Sequence, residues 1–152
     1  MSDALEVVRR VVEVYSGDMA ATFRDPAKLA AAREITDPLF HEDVVLNVPG
    51  ETGQPVAFPA GEMRGVETLV AIWAEWFEVF ESVEQTIGEL ELLPDGRVMA
   101  TNETTVRLST GDRATFPGAS IWEVADGKVV WLAWSANVPA LRAVAGLEDP
   151  PA

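Results

Sequence analysis

The chain of 152 residues contains no cysteine, which excludes disulfides, thiol nucleophiles and thiolate metal sites. It has one histidine, His41, so a histidine-rich metal centre cannot be built and no metal is expected. Positive charge is also scarce. Eleven lysines and arginines stand against 25 acids, for a formal charge of −14. A nucleic-acid binder needs basic residues to neutralise phosphates and release counterions, so that partner class is excluded. Anionic membrane surfaces are disfavoured on the same ground. Long apolar runs are missing too: none approaches the roughly 20 residues of a membrane helix. The opening MSDALEVVRR carries acids where a signal peptide has a basic start and a plain apolar stretch, so a cytoplasmic location is expected.

What is present is an ordinary globular balance, with 48% hydrophobic and 24% charged residues. This length suits a single domain with a substantial core. Its expected span is 1–147, with a flexible tail over 148–152.

Leu5, Val8, Val11, Val12 and Tyr15 recur at helical spacing and predict a helix from Asp3 to Tyr15, with Asp3 and Glu6 as a capping box. Ser16-Gly17-Asp18 loosens or ends it. Asp25-Pro26 starts a second helix running to about Glu34, since Asp caps and Pro suits the first helical position. Val44 to Val48 is β-branched, stops at Pro49, and reads as a strand; the Gly- and Pro-rich stretch from Gly50 to Gly61 reads as a loop. A long helix is expected from Gly65 to Glu81, with Val66, Leu69, Val70, Trp73, Trp76, Phe77 and Phe80 on one stripe.

Four strands follow, Val83–Leu93, Arg97–Leu108, Arg113–Ala125 and Lys128–Ala136, separated by Asp-Gly and Thr-Gly-Asp turns. A last helix, Pro139–Ala145, stops at Gly146. Helices first, then a strand, a long helix and a meander give an α+β fold: a cone-shaped, curved antiparallel sheet whose N-terminal helices and long helix close an internal pocket.

Three marks in this order resemble one superfamily. Leu39-Phe40 leads through His41 and Glu42 to Asp43-Val44, Gly65 precedes the long helix, and Asp126-Gly127-Lys128-Val129 opens the last hairpin. The chain is similar over roughly residues 4 to 147 to the nuclear-transport-factor-2-like fold, and within it to the SnoaL-like polyketide-cyclase group. That resemblance implies a cofactor-independent pocket protein, an isomerase, cyclase or epoxide-hydrolase type of enzyme on an apolar oxygenated polyketide- or terpenoid-like molecule, or else a non-catalytic ligand-binding or dimerisation module. A homodimer is implied in either case.

The catalytic sets of these relatives do not carry over. Ketosteroid isomerases place a base before the first strand's proline, a tyrosine on the first helix and an acid on a later strand; here those positions hold Val48, Arg10 and Ser120. Asn47, two residues before Pro49, resembles the asparagine that helps hold water in limonene epoxide hydrolase. Its tyrosine partner would fall near Val45, and the charged triad near Asn102, Thr104 and Trp134. The polyketide cyclases use an inward aspartate. Here Glu103 and Glu123 fall out of phase with the inward positions, unless a bulge reverses the alternation.

Candidate site residues are therefore the neutral polar groups Asn47, Asn102, Thr104 and Ser120. Tyr15, Leu46, Trp73, Phe77, Val106, Phe116, Trp122, Leu132 and Trp134 are the expected pocket wall. Simple pairing across Asp126-Gly127 opposes Trp122 to Trp131 and turns Trp131 inward, whereas the resemblance favours Leu132 and Trp134. His41, beside Glu42 and Asp43, reads either as a general base or as a surface residue at a bend. Asp18 and the loop Glu51–Glu62 are further candidates for the cavity mouth.

Overall fold

A computed structural model describes residues 3–50 and 60–147. The tail 148–152, most of the expected Gly50–Gly61 loop and the Asp3 side chain lie outside the described part.

Helix α1 (Asp3–Val14) buries Val7, Val8 and Val11. Beyond it the chain does more than loosen. Gly17–Asp18 adds a two-residue strand, β1, to the sheet edge, and Asp18 then caps a helix that the patterning did not predict, α2 (Met19–Arg24). One Asp18 oxygen accepts from Ala21 N–H and from Val83 N–H, both at 3.2 Å, tying the helix start to the first long strand. Helix α3 (Pro26–Thr36) begins as expected, with Asp25 accepting from the amides of Ala27 and Lys28.

A single 3-10 turn, Asp37–Leu39, leads into β2 (Phe40–Val48), which starts four residues earlier than its β-branched core suggests. Strand β3 (Gly61–Arg64) returns beside it. Gly65 follows at φ 96, a left-handed conformation that suits glycine, and its N–H donates to Val44 O at 2.8 Å. That contact starts α4 (Val66–Glu78) against β2. The helix stops short of Glu81, and Arg24 at the end of α2 covers the carbonyls at and just beyond its end, donating to Glu81 O at 2.9 Å, to Phe80 O, and to Phe77 O within the last turn at 3.4 Å.

Strands β4 (Ser82–Leu92), β5 (Val98–Arg107), β6 (Arg113–Ala125) and β7 (Lys128–Ser135) form the meander, followed by α5 (Val138–Val144). The curved sheet runs β1-β4-β5-β6-β7-β2-β3 and is antiparallel except where β2 lies parallel to β7. The result is an α+β fold, with α1, α2 and α4 on the inner face and α5 on the outer one.

One detail decides which aromatic rings face inward. Asp126 (φ 52) and Gly127 (φ 76) make the two-residue turn, and Val124 pairs with Val129 as simple hairpin geometry requires. The register then slips: Glu123 pairs with Trp131, and Trp122 with Leu132. The expected Trp122–Trp131 pair is therefore wrong. An extra residue in β7, Val130, reverses the alternation beyond it. Leu132 and Trp134 turn to the inner core, while Trp131 packs outside with Ile121 and α5.

Candidate functional site

The inner face does not close completely. Between the helices and the sheet lies a cavity of about 160 Å³. Val11, Val12 and Tyr15 come to it from α1, and Met19 and Phe23 from α2. Leu69, Val70, Trp73 and Phe77 come from α4, and the sheet contributes Gln85, Ile87, Ala100, Asn102, Ser120, Trp122, Leu132 and Trp134. The wall is built of interlocked rings. Trp73 meets Trp134 edge-on with centroids 5.3 Å apart, and Phe77 bridges from Trp73 at 5.7 Å to Phe23 at 4.8 Å. Such edge-on, tilted and stacked contacts add to area burial and fix ring positions.

Of the residues singled out from the sequence, Tyr15, Trp73, Phe77, Asn102, Ser120, Trp122, Leu132 and Trp134 meet at this cavity. Leu46, Val106 and Phe116 pack in the same core without lining the void. Thr104 is buried beneath Asn102 and accepts from its Nδ2 at 3.0 Å. Asn47 stands apart: alternation along β2 sends Leu46 and Val48 into the inner core and Asn47 to the opposite side, beside Glu62 and Ala133 in register. Glu103 and Glu123 are both exposed.

Several wall residues escaped the sequence reading. Gln85 shares the parity of buried Val83 and could have been found by alternation. Asp37 had no such signal, because it sits in the turn between α3 and β2, where neither helical nor strand periodicity applies.

The polar groups are linked in two sets. On the sheet, Asn102 Nδ2 donates to Gln85 Oε1 at 3.1 Å as well as to Thr104, and Trp122 Nε1 donates to Ser120 Oγ at 2.7 Å. Gly118, directly opposite Asn102, leaves space for this amide; a Cβ there would lie 2.8 Å from Asn102 Oδ1. On the helix side, Tyr15 Oη lies 2.9 Å from Thr36 Oγ1, and the Thr36 hydroxyl donates to Ala32 O at 3.1 Å. Burial raises the Tyr15 pKa above its ordinary 10.0, opposed by the Thr36 hydrogen bond and assisted by the negative charge of Asp37.

Asp37, Phe40 and Val66 also border a second, open cleft of about 630 Å³, so polar rim and apolar chamber are neighbours. Arg33 holds this rim together. Its Nε donates to the Asp37 carboxylate at 3.0 Å, and its guanidinium forks onto Glu67 at the start of α4. Hydrogen bonding to Glu67 and then Asp37 raises the Arg33 pKa, and the same contact lowers that of Glu67. His41 lies in the cleft with Nδ1 accepting from Asp43 N–H at 3.0 Å. Among the described residues no cluster of three or more histidines or acids is placed to hold a metal, and no helix is long and apolar enough to cross a membrane.

This architecture recurs in solved structures. A candidate SnoaL-like polyketide cyclase from Jannaschia sp. CCS1 superposes with a TM-score of 0.63 at 18% identity, over 99% of this chain and 94% of that one. TerC, co-crystallised with polyporic acid, gives 0.65 at 20% identity over 93% and 97%. Rv0760c from Mycobacterium tuberculosis, in complex with estradiol-17beta-hemisuccinate, gives 0.60 at 17% identity over 92% and 98%. At such identities the likeness is one of fold, and that fold is nuclear-transport-factor-2-like. The sequence itself is more specific: residues 8–132 match the SnoaL-like domain, and the chain belongs to the SnoaL-like family. No curated protein sequence matches it.

Proposed function

We propose that this SnoaL-like protein takes up a compact, apolar, oxygen-bearing small molecule into the cavity between α1, α2, α4 and the sheet. The observation that carries this reading is an aromatic void of about 160 Å³ into which only a few polar groups project. Drug-sized ligand pockets run roughly 300–1,000 Å³, and an apolar cavity of about 150 Å³ takes up one benzene-sized molecule. The ligand is thus of single-ring size, smaller than the polyketide- or terpenoid-like molecules that the family resemblance suggests. Two structural neighbours crystallised with ring-containing ligands support a binding role.

The binding reading is tested by melting temperature in the presence of para-cresol and para-xylene, since a ligand of the folded state raises stability by mass action. Ala100, a buried small residue on the wall, supplies the control: Ala100→Leu fills the void and should abolish the ligand-induced shift. An undiminished shift in that variant would place binding elsewhere.

Catalysis on the bound molecule is the finer reading, with Asn102 and Ser120 as positioning groups and Asp37 as the carboxylate on the wall. Asn47 does not enter it. In the dimer reading, the face that pairs is the outer sheet surface that α5 leaves open, where exposed Thr115 and half-buried Thr105 share a 2.8 Å hydrogen bond.

A further inference from the structure

The hydrogen-bond valences around the cavity point to the polarity of its ligand, an inference that rests on the binding function proposed above. With the single Thr36 hydroxyl hydrogen assigned to Ala32 O, the 2.9 Å contact with Tyr15 is made by the phenol as donor, one of the two directions open to that pair. What Tyr15 then offers the cavity is an oxygen that can only accept. Asp37, the neighbouring polar group on the wall, also accepts. The corner of the chamber formed by Tyr15 and Asp37 is therefore an acceptor end.

The sheet side is different. Ser120 Oγ receives the Trp122 indole N–H at 2.7 Å, so its own hydroxyl hydrogen is left to donate. Gln85 Oε1 receives Asn102 Nδ2, which directs the Gln85 amide N–H groups away from that bond, with no acceptor for them among the described residues. Both Asn102 N–H bonds are used, on Gln85 and Thr104. Its remaining oxygen lies against Gly118, where a Cβ would come within 2.8 Å. The sheet floor is a donor end, served by Ser120 and Gln85.

We propose that the cavity selects a single-ring molecule with a hydroxyl at one end and a carbonyl oxygen at the other, of the hydroxyaryl ketone or aldehyde class. The hydroxyl donates to Tyr15 Oη, and the carbonyl accepts from Ser120 and Gln85. A purely apolar ring fits the volume but leaves those groups without partners, a cost that discriminates against it.

Four probes of similar size separate the contributions by calorimetry on the intact chain: para-hydroxyacetophenone, acetophenone, para-cresol and para-xylene. The first should bind tightest, with each missing polar end weakening binding roughly tenfold, the upper range for one neutral hydrogen bond. Ser120→Ala should weaken the two carbonyl probes and leave para-cresol unchanged. Tyr15→Phe should weaken the two phenols and leave acetophenone unchanged. If all four probes bind the parent chain alike, the assigned polarity is overturned while the pocket stands. If none binds, or if Ala100→Leu binds them as well as the parent, the binding function falls with it.

Discussion

The two faces of the sheet solve the same packing problem with opposite results. Outside, α5 lies on β6 and β7 through small residues, with Ala119, Ala133 and Ala145 letting Leu141 sink to full burial beside Ile121. Arg97 fastens the end of that helix, donating to Ala145 O at 2.8 Å while its guanidinium lies 5.7 Å from the Trp131 ring centre. Inside, large rings face one another across a wider gap and leave about 160 Å³ empty. Aromatic side chains fill most of the space but cannot deform to fill all of it. Small residues give the close-packed face, and bulky ones give the chamber.

Substitutions that exchange these characters test the contrast. Leu141→Ala on the outer face should have the largest effect, a loss of about 2–5 kcal/mol in denaturant unfolding, because the tightly packed site cannot collapse around the hole. Adding volume should separate the faces next. Ala133→Leu, at a fully buried outer position, should cost about 1–3 kcal/mol by overpacking. Ala100→Leu, beside the void, should stay within roughly 1 kcal/mol of the parent. Equal penalties for the two would mean the inner face has no usable space.

The smallest effect is a pH dependence from Tyr15, the chain's one tyrosine. Its raised pKa means that the fold favours the neutral phenol. That contribution is fully present below the ordinary value of 10.0 and is lost as pH rises through the folded value. Parent stability should therefore fall more steeply above about pH 10 than that of Tyr15→Phe, read as urea midpoints. Parallel curves would show that the phenol titrates as though in water.

Much of this contrast is written in local patterns. The stripe on α4, the Asp25-Pro26 start of α3 and the Asp126-Gly127 turn are each determined within a few residues, and each lies where those patterns put it. The bulge at Val130 is not local in that sense. It becomes visible only when β6 and β7 are paired, and one extra residue decides which tryptophan joins the chamber. The same holds for Asn47, whose likeness to a functional asparagine concerned spacing from Pro49, whereas its side chain is directed by strand parity. Helix α2 and strand β3 are too short for periodicity to show, at 6 and 4 residues, and are set by the contacts they make. Asp37 enters the site from a turn, where no periodic rule applies.

The parallel pairing of β2 with β7 also orders events in time. Leu46 and Leu132 are register partners, yet the ribosome makes them far apart. At about 5–20 residues per second, β2 waits several seconds for its neighbour. Until then the chamber has no far wall, and the apolar faces of α1 and α4 have only part of the sheet to cover them. The nascent chain is thus most exposed to aggregation or to chaperone capture before the last hairpin emerges.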